Sequence, residues 1–254
     1  MTIIALPAFQ DNYIWVITDE AHQTFACVDP GDAEPVLTFA YTTGLVLNNV
    51  LITHHHHDHM GGLHDLLTAF PNAHAYAPYD LRIPKPYIIA TRNKPVVIGP
   101  YFFQVLDTPG HTASHICYYE PLQQWLFCGD TLFSAGCGRV FDGTMDALHA
   151  SLQQLKNLPK ETLVFCGHEY TRQNLTFAAT IEPNNLDISR YAATLANRPT
   201  QISLPSTLAL EKKINPFLRT DADSIKRYAK AHGLSSLDSL SIFKQLRDKK
   251  DVFV

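Results

Sequence analysis

The segment Thr53-His54-His55-His56-His57-Asp58-His59 constrains this chain more than any other. It follows the apolar run Val50-Leu51-Ile52 and is closed by Met60-Gly61-Gly62, so a strand delivers it into a turn. In an extended chain, residues two apart project the same way, and His54 and His56 can therefore share one metal ion. Asp58 and His59, past the turn, can reach a second. His55 and His57 alternate with these positions and are expected to face away. Imidazole and carboxylate ligands suit zinc, iron or manganese, and catalytic sites of this kind keep a coordination position open for water. The tract is internal and strand-fed, which argues against an accidental or tag-like run.

Three later segments repeat the arrangement of a ligand type just beyond an apolar run. Val105-Leu106 precedes Asp107-Thr108-Pro109-Gly110-His111, Trp125-Leu126-Phe127-Cys128 precedes Gly129-Asp130, and Leu163-Val164-Phe165-Cys166 precedes Gly167-His168. Strand ends are rigid and open onto a loop layer, which is where an open α/β sheet places its site. With His54, His56, Asp58 and His59, the residues His111, Asp130 and His168 could give each of two divalent metals three ligands, one carboxylate being shared. Of the 13 histidines, the remainder (including His115 and His149) are assigned to structure or surface.

The first two-thirds of the chain alternate short runs of β-branched and aromatic residues with amphipathic segments, an α/β pattern in which hairpin-like pairs predict a mixed sheet. Strands are expected at 3–9, 13–18, 25–28, 50–53, 74–77, 102–106, 116–119, 125–128 and 163–166. Helices are expected at 61–70 and at 145–158, the latter capped by Thr144 and ended by Pro159. Beyond Thr171 strand signals fade, and helices are expected near 172–181, 186–197, 222–231 and 237–249. The division is therefore an α/β domain, 1–171, and a helical C-terminal domain, 172–254.

Apolar residues make up 46% of the sequence, ample for a core. Five cysteines without a CxxC pair argue against a disulfide framework. Met1–Gln10 lacks a signal-peptide pattern and no run is long enough to span a bilayer, so a soluble, cytoplasmic protein is expected. Residues 211–254 hold ten Lys/Arg against six Asp/Glu, whereas residues 1–210 hold ten against eighteen. A basic tail on an acidic body suggests an anionic small ligand and argues against nucleic acid.

The string HxHxDH at His54–His59, followed in order by His111, Asp130 and His168, resembles the metallo-β-lactamase superfamily. Pro109-Gly110-His111-Thr112, Cys128-Gly129-Asp130-Thr131-Leu132-Phe133, Gly136-Cys137-Gly138-Arg139 and Gly167-His168-Glu169-Tyr170-Thr171 narrow the resemblance to glyoxalase II, the hydroxyacylglutathione hydrolases. Asn215-Pro216-Phe217-Leu218-Arg219 and Arg247-Asp248-Lys249-Lys250-Asp251-Val252-Phe253 resemble that family's helical C-terminal domain.

The resemblance implies a four-layer αββα sandwich followed by a helical domain. It implies one metal on His54, His56 and His111, another on Asp58, His59 and His168, and Asp130 bridging; zinc is the first expectation, iron and manganese the others. Asp58 and Asp130 would serve catalysis by a metal-bridging hydroxide. Arg139, Tyr170, Arg247 and Lys250 would bind the glutathione portion, a guanidinium suiting a carboxylate. The implied reaction is hydrolysis of S-2-hydroxyacylglutathione to a 2-hydroxy acid, D-lactate for the family's usual substrate in methylglyoxal detoxification. A monomer is expected.

Two departures stand out: Arg139 and Phe141 occupy positions where many members carry Lys and Tyr, and Ser114 replaces a usual Gly. A single-iron glutathione-persulfide dioxygenase is the nearest rival, but it would not need the full ligand set; another thioesterase of the scaffold is the further alternative. Cysteine nucleophiles are disfavoured: Cys128 and Cys166 fall in apolar runs, and Cys137, though loop-like, has no evident base.

Overall fold

The computed structural model describes residues 2–19, 21–198 and 202–253. The chain forms two compact units: Met1–Thr108 with Ser114–Gly129 and Phe165–His168, and Pro109–Ala113 with Asp130–Val164 and Glu169–Val254.

The first unit opens with β1 (Ile3–Ala8), β2 (Asn12–Asp19), β3 (Thr24–Val28), α1 (Glu34–Thr43), β4 (Val46–Leu51), α2 (His57–Met60), α3 (Leu63–Ala69), β5 (His74–Ala77) and β6 (Ile88–Ile89). The strands form one sheet in the order β1-β2-β3-β4-β5-β6. The pairs β1–β2 and β2–β3 are antiparallel, and β3–β4, β4–β5 and β5–β6 are parallel, the mixed sheet that the sequence predicts. Ile14 to Asp19 of β2 are all buried. Such an unbroken run is what a strand covered on both faces requires. The core of this sheet includes Ile14, Val16, Phe25, Val50 and Ile52, with Val36 and Ala40 of α1 and Leu63 and Leu66 of α3.

A second sheet starts with the antiparallel meander β7 (Val96–Ile98), β8 (Tyr101–Asp107), β9 (Ile116–Glu120) and β10 (Trp125–Gly129). Then come β11 (Leu132–Phe133), β12 (Gly136–Cys137), α4 (Met145–Lys156) and β13 (Leu163–Cys166), which lies next to β10. Tyr118 of β9 donates its hydroxyl to the carbonyls of Ile52 (2.9 Å) and Tyr76 (3.1 Å), tying this sheet to the ends of β4 and β5. The Trp15 indole likewise donates to the Cys166 carbonyl at 2.9 Å.

The second unit contains β11, β12 and α4, and continues with α5 (Thr171–Ile181), α6 (Leu186–Ala196), β14 (Ser206–Thr207), α7 (Leu208–Ile214), α8 (Asp223–Ala231) and α9 (Ser239–Asp251). The predicted cap holds: the Thr144 hydroxyl accepts from the Ala147 amide at 3.1 Å, and Leu148, Leu152 and Leu155 of α4 are buried. Asp238 caps α9 in the same way, accepting from the Ser241 amide at 3.0 Å.

Two expectations need correction, and one helix stands where no element was expected. The segment Glu34–Thr43 forms α1; its Val, Phe, Tyr and Thr favour strand locally, and packing of Val36 and Ala40 overrides that preference. The turn after His56 is a turn of helix, α2. Cys137 is not in a loop but buried in β12.

Tyr118→Phe is expected to leave the buried Ile52 carbonyl without its hydroxyl donor, while the Tyr76 carbonyl keeps the Ile52 amide at 2.8 Å. This should cost about 1–3 kcal/mol, read as a thermal midpoint lower by roughly 2–10 °C for a chain of this size. An unchanged midpoint would refute the cross-sheet role of the hydroxyl.

Candidate metal centre

Each predicted ligand stands just beyond a strand or in the first turn after one. In the first unit, His54 lies three residues past β4, Asp58 and His59 lie in α2, and His168 lies two residues past β13. The rings of His59 and His168 approach Nε2 to Nε2 at 3.3 Å. Asp58 Oδ2 lies 3.5 Å from the first nitrogen and 3.4 Å from the second.

The other ring nitrogens define what these atoms present. His59 Nδ1 is 3.0 Å from Asp29 Oδ2, and His168 Nδ1 is 2.8 Å from Asp11 Oδ1. A carboxylate can only accept, so each Nδ1 carries a proton, and in its neutral form each ring turns a lone pair inward. Two lone pairs and a carboxylate oxygen facing one another repel in the absence of a cation. The donor atoms of Asp58, His59 and His168 lie within 4.8 Å of one another, and their chemistry fits a divalent ion.

His54 follows the same logic. Thr53 donates its amide to Asp29 Oδ1 at 2.8 Å and its hydroxyl to Asp29 Oδ2 at 2.7 Å. The hydroxyl oxygen is thereby left to accept from His54 Nδ1, 3.0 Å away. His54 Nε2 faces His56 Nδ1 at 3.0 Å, so the two residues two apart do converge. His115, read from sequence as structural, is buried and stacks on the His54 ring with centroids 4.8 Å apart. His55 points elsewhere, with Nδ1 3.5 Å from Asp80, and His57 is exposed.

In the second unit, His111 Nδ1 donates to the Arg139 carbonyl at 2.7 Å, and its Nε2 is 3.5 Å from Asp130 Oδ2. Gly138 is held against both: a Cβ there would collide with the Asp130 carbonyl and crowd His111 Nδ1. Phe141 sets its ring edge-on to His111 at 5.2 Å and is mostly exposed.

The predicted substrate-binding residues take different stations. Tyr170 precedes α5, its ring against Phe133 at 5.1 Å. Arg139 is 56% exposed and reaches Asp251, with Nε 3.3 Å from Oδ1 and Nη2 3.1 Å from the carbonyl. Lys250 sits over the rings of Phe177 and Phe253, at 5.4 and 5.3 Å, and partial burial lowers its pKa. Arg247 is buried and committed inside the protein. Its Nε and Nη2 meet Asp251 Oδ1 at 3.0 and 2.9 Å, its Nη1 donates to the carbonyls of Cys137 (2.9 Å) and Gly138 (3.3 Å), and it lies over Phe217. Burial pushes the Cys137 thiol up to about 11, with Arg247 pulling the other way, so it stays a thiol at neutral pH.

Sequence reading missed Asp11, Asn12, Asp29 and Thr53, which orient the predicted ligands. The only signal was position: Asp11-Asn12 opens β2 and Asp29 closes β3, strand ends like those that carry the ligands.

Residues 12–168 match the family model of the metallo-β-lactamase superfamily, and residues 169–253 match that of the hydroxyacylglutathione hydrolase C-terminus. Over 253 residues the chain is 50% identical to the hydroxyacylglutathione hydrolase of Legionella pneumophila (strain Corby), covering 100% of both proteins. The protein of that name from Pseudomonas fluorescens (strain SBW25) is 44% identical, with 99% of each covered. The chain belongs to the hydroxyacylglutathione hydrolase family.

Among solved structures, ETHE1 from Myxococcus xanthus matches with TM-score 0.68 and 25% identity, over 99% of this chain and 92% of that one. TTHA1623 in a di-iron-bound form matches with TM-score 0.62 and 26% identity, over 86% and 100%. The fold is the expected metallo-β-lactamase α/β fold with a helical C-terminal region, and its His/Asp cluster suits divalent metals. Among the described residues no helix is long and apolar enough to cross a membrane.

Arg247→Met keeps the bulk of the side chain but none of its donors. It is expected to cost about 2–3 kcal/mol, less than a fully buried pair because Asp251 stays partly exposed. The Gly138 amide, bonded to the Thr131 carbonyl at 3.3 Å, should then exchange hydrogen faster. Unchanged exchange at Gly138 would show that Arg247 does not hold this segment.

Proposed function

We propose that this protein hydrolyses the thioester of S-2-hydroxyacylglutathione, S-D-lactoylglutathione foremost, to a 2-hydroxy acid and glutathione. The observation that carries the reading is the convergence of the Asp58, His59 and His168 donor atoms within 4.8 Å of one another, in a chain that matches hydroxyacylglutathione hydrolases over its whole length.

In this reading His54, His56 and His111 would hold one cation and Asp58, His59 and His168 another, with Asp130 contributing to both. Zinc suits the nitrogen-rich set best, iron or manganese next. When bound, such a pair supplies Lewis acidity and lowers the pKa of water to about 7, which makes hydroxide available at neutral pH.

The chain's own residues do the rest. Asp58, steadied by the Asn12 amide 3.0 Å from its Oδ2, orients the attacking oxygen. Arg139, Tyr170 and Lys250 bind the peptide part of glutathione, Arg139 meeting a carboxylate. Arg247 contributes by holding Cys137 and Gly138, which fixes the direction in which Arg139 leaves the backbone. A carbon–oxygen bond forms at the acyl carbon and the carbon–sulfur bond breaks. The sulfur leaves as thiolate, since a free thiol's pKa is near 8.5, and no separate acid is required.

The boundary near Thr171 separates, on this view, a region that supplies most of the metal ligands from a helical region that binds substrate. The same reading places the protein in the cytoplasm as a monomer, acting on a small molecule and not on nucleic acid.

The test is a thioesterase assay on S-D-lactoylglutathione with zinc, iron or manganese loaded. Asp130→Asn should lower kcat/KM by more than about 100-fold, the upper range for groups merely behind a ligand. Arg139→Ala should raise KM about 10- to 100-fold with kcat nearly kept, the worth of a charge-assisted contact. Cys137→Ser should retain most activity. No hydrolysis with any of the three metals, or oxygen uptake with glutathione persulfide instead, overturns the proposal.

A further inference from the structure

The groups behind the metal-site histidines differ in charge. His59 and His168 each donate Nδ1–H to a carboxylate, Asp29 at 3.0 Å and Asp11 at 2.8 Å. The third member of that set, Asp58, is fixed by the Asn12 amide at 3.0 Å. His54 and His111 donate instead to neutral oxygens, the Thr53 hydroxyl at 3.0 Å and the Arg139 carbonyl at 2.7 Å. Thr53 does touch Asp29, but through its own O–H, so that charge reaches His54 only at one remove.

A carboxylate accepting the Nδ1 proton draws it away from the ring and makes the opposite nitrogen a stronger donor to a cation; a neutral acceptor does so less. The anionic groups Asp11 and Asp29 add attraction for a divalent ion at the position they back, at short range and partly shielded from water. Asp29 is buried, and Asp11 is 39% exposed.

We infer that the two metal positions are unequal, the one formed by Asp58, His59 and His168 holding its ion more tightly, and that Asp11 is a positioning residue that makes it so. Asp11 touches no reacting atom; it acts through His168. This rests on the reading of Asp58, His59 and His168 as ligands of one ion, but not on the substrate.

The inference is tested on the metal-stripped full chain by titration with zinc against a chromophoric chelator, which reads affinity without any assay of turnover. The wild-type protein should take up two zinc ions in a tighter and a weaker step. Asp11→Asn retains an acceptor of the same shape without the charge; it should weaken the tighter step roughly 10- to 100-fold and leave the weaker step within about twofold. His168→Gln should abolish the tighter step. Unfolding of each metal-free variant, measured alongside, should match the wild type, which separates lost affinity from lost fold.

An equal shift of both steps in Asp11→Asn, a shift of neither, or loss of the weaker step in His168→Gln overturns the inference. Uptake of fewer than two ions by the wild type overturns the ligand reading itself, and with it the inference. The thioesterase assay can fail independently of both.

Discussion

Asp29 accepts from the Thr53 amide, the Thr53 hydroxyl and the His59 ring, and the metal site of the first unit is arranged around that carboxylate. Its own amide donates to the Leu51 carbonyl at 2.9 Å, so Asp29 is placed by the pairing of β3 with β4. Its backbone lies in the left-handed region at φ 53°, a conformation that aspartate tolerates better than most residues. Burying a carboxylate is costly unless its oxygens are satisfied, and three donors satisfy this one. A one-residue slip of β4 against β3 would turn Thr53 away and leave the carboxylate buried without partners. The register that builds the sheet is thus the register that aims His54 and His59.

The second unit solves the same problem with a short hairpin. Asp130 and Arg139 lie at the two ends of the β11–β12 segment, and its turn is gripped by backbone contacts. The buried Glu211 accepts from the Ser134 hydroxyl and the Ala135 amide, both at 2.8 Å. Asn215 donates to the carbonyls of Phe133 (3.1 Å) and Gly136 (2.9 Å), and Asn174 to that of Ser134 at 3.0 Å. Burial raises the pKa of Glu211, and the donors around it oppose that rise. Side chains of α5, α7 and α9 therefore fix a hairpin too short to hold a shape alone. The helical region serves the metal-site loop as much as any ligand, through the Asn-Pro-Phe-Leu-Arg and Arg247 segments that mark the family.

The strand-end residues that could hold a metal were legible because their chemistry is local: an apolar run, a turn and a histidine or aspartate occupy a few consecutive residues. The HxHxDH string needs no partner to be recognised. Asp11 and Asp29 were not legible in this way, since what they orient lies 157 and 30 residues off. An aspartate beside a turn looks the same whether or not a histidine waits behind it. Helix α1 escaped for a related reason: its Val, Phe, Tyr and Thr blur the helical signal, and burial of Val36 and Ala40 decides it. Arg247 shows the converse. The resemblance implied a glutathione-binding cation there, but its position one turn past Phe243 on α9 places it on that helix's buried face with Ile242 and Leu246.

Arg139 joins the two tasks of the second unit in one residue. Its carbonyl takes the His111 Nδ1 proton and so turns His111 Nε2 toward Asp130. Its side chain points the other way along the surface and is held by Asp251, the carboxylate that Arg247 also grips. A glutathione carboxylate arriving at Arg139 would find a guanidinium already engaged by a carboxylate of the protein, and would compete for donors rather than meet a bare charge. The guanidinium carries five N–H donors, and Asp251 occupies only part of that fork. The remaining donors stay directed by the Asp251 contact, so that preorganisation is bought with a fraction of the charge. Lysine in the same place would offer one rotatable ammonium, with no fork to divide between an internal and an incoming carboxylate. The arginine thus lets one loop hold His111 by its backbone while its side chain stays directed by Asp251.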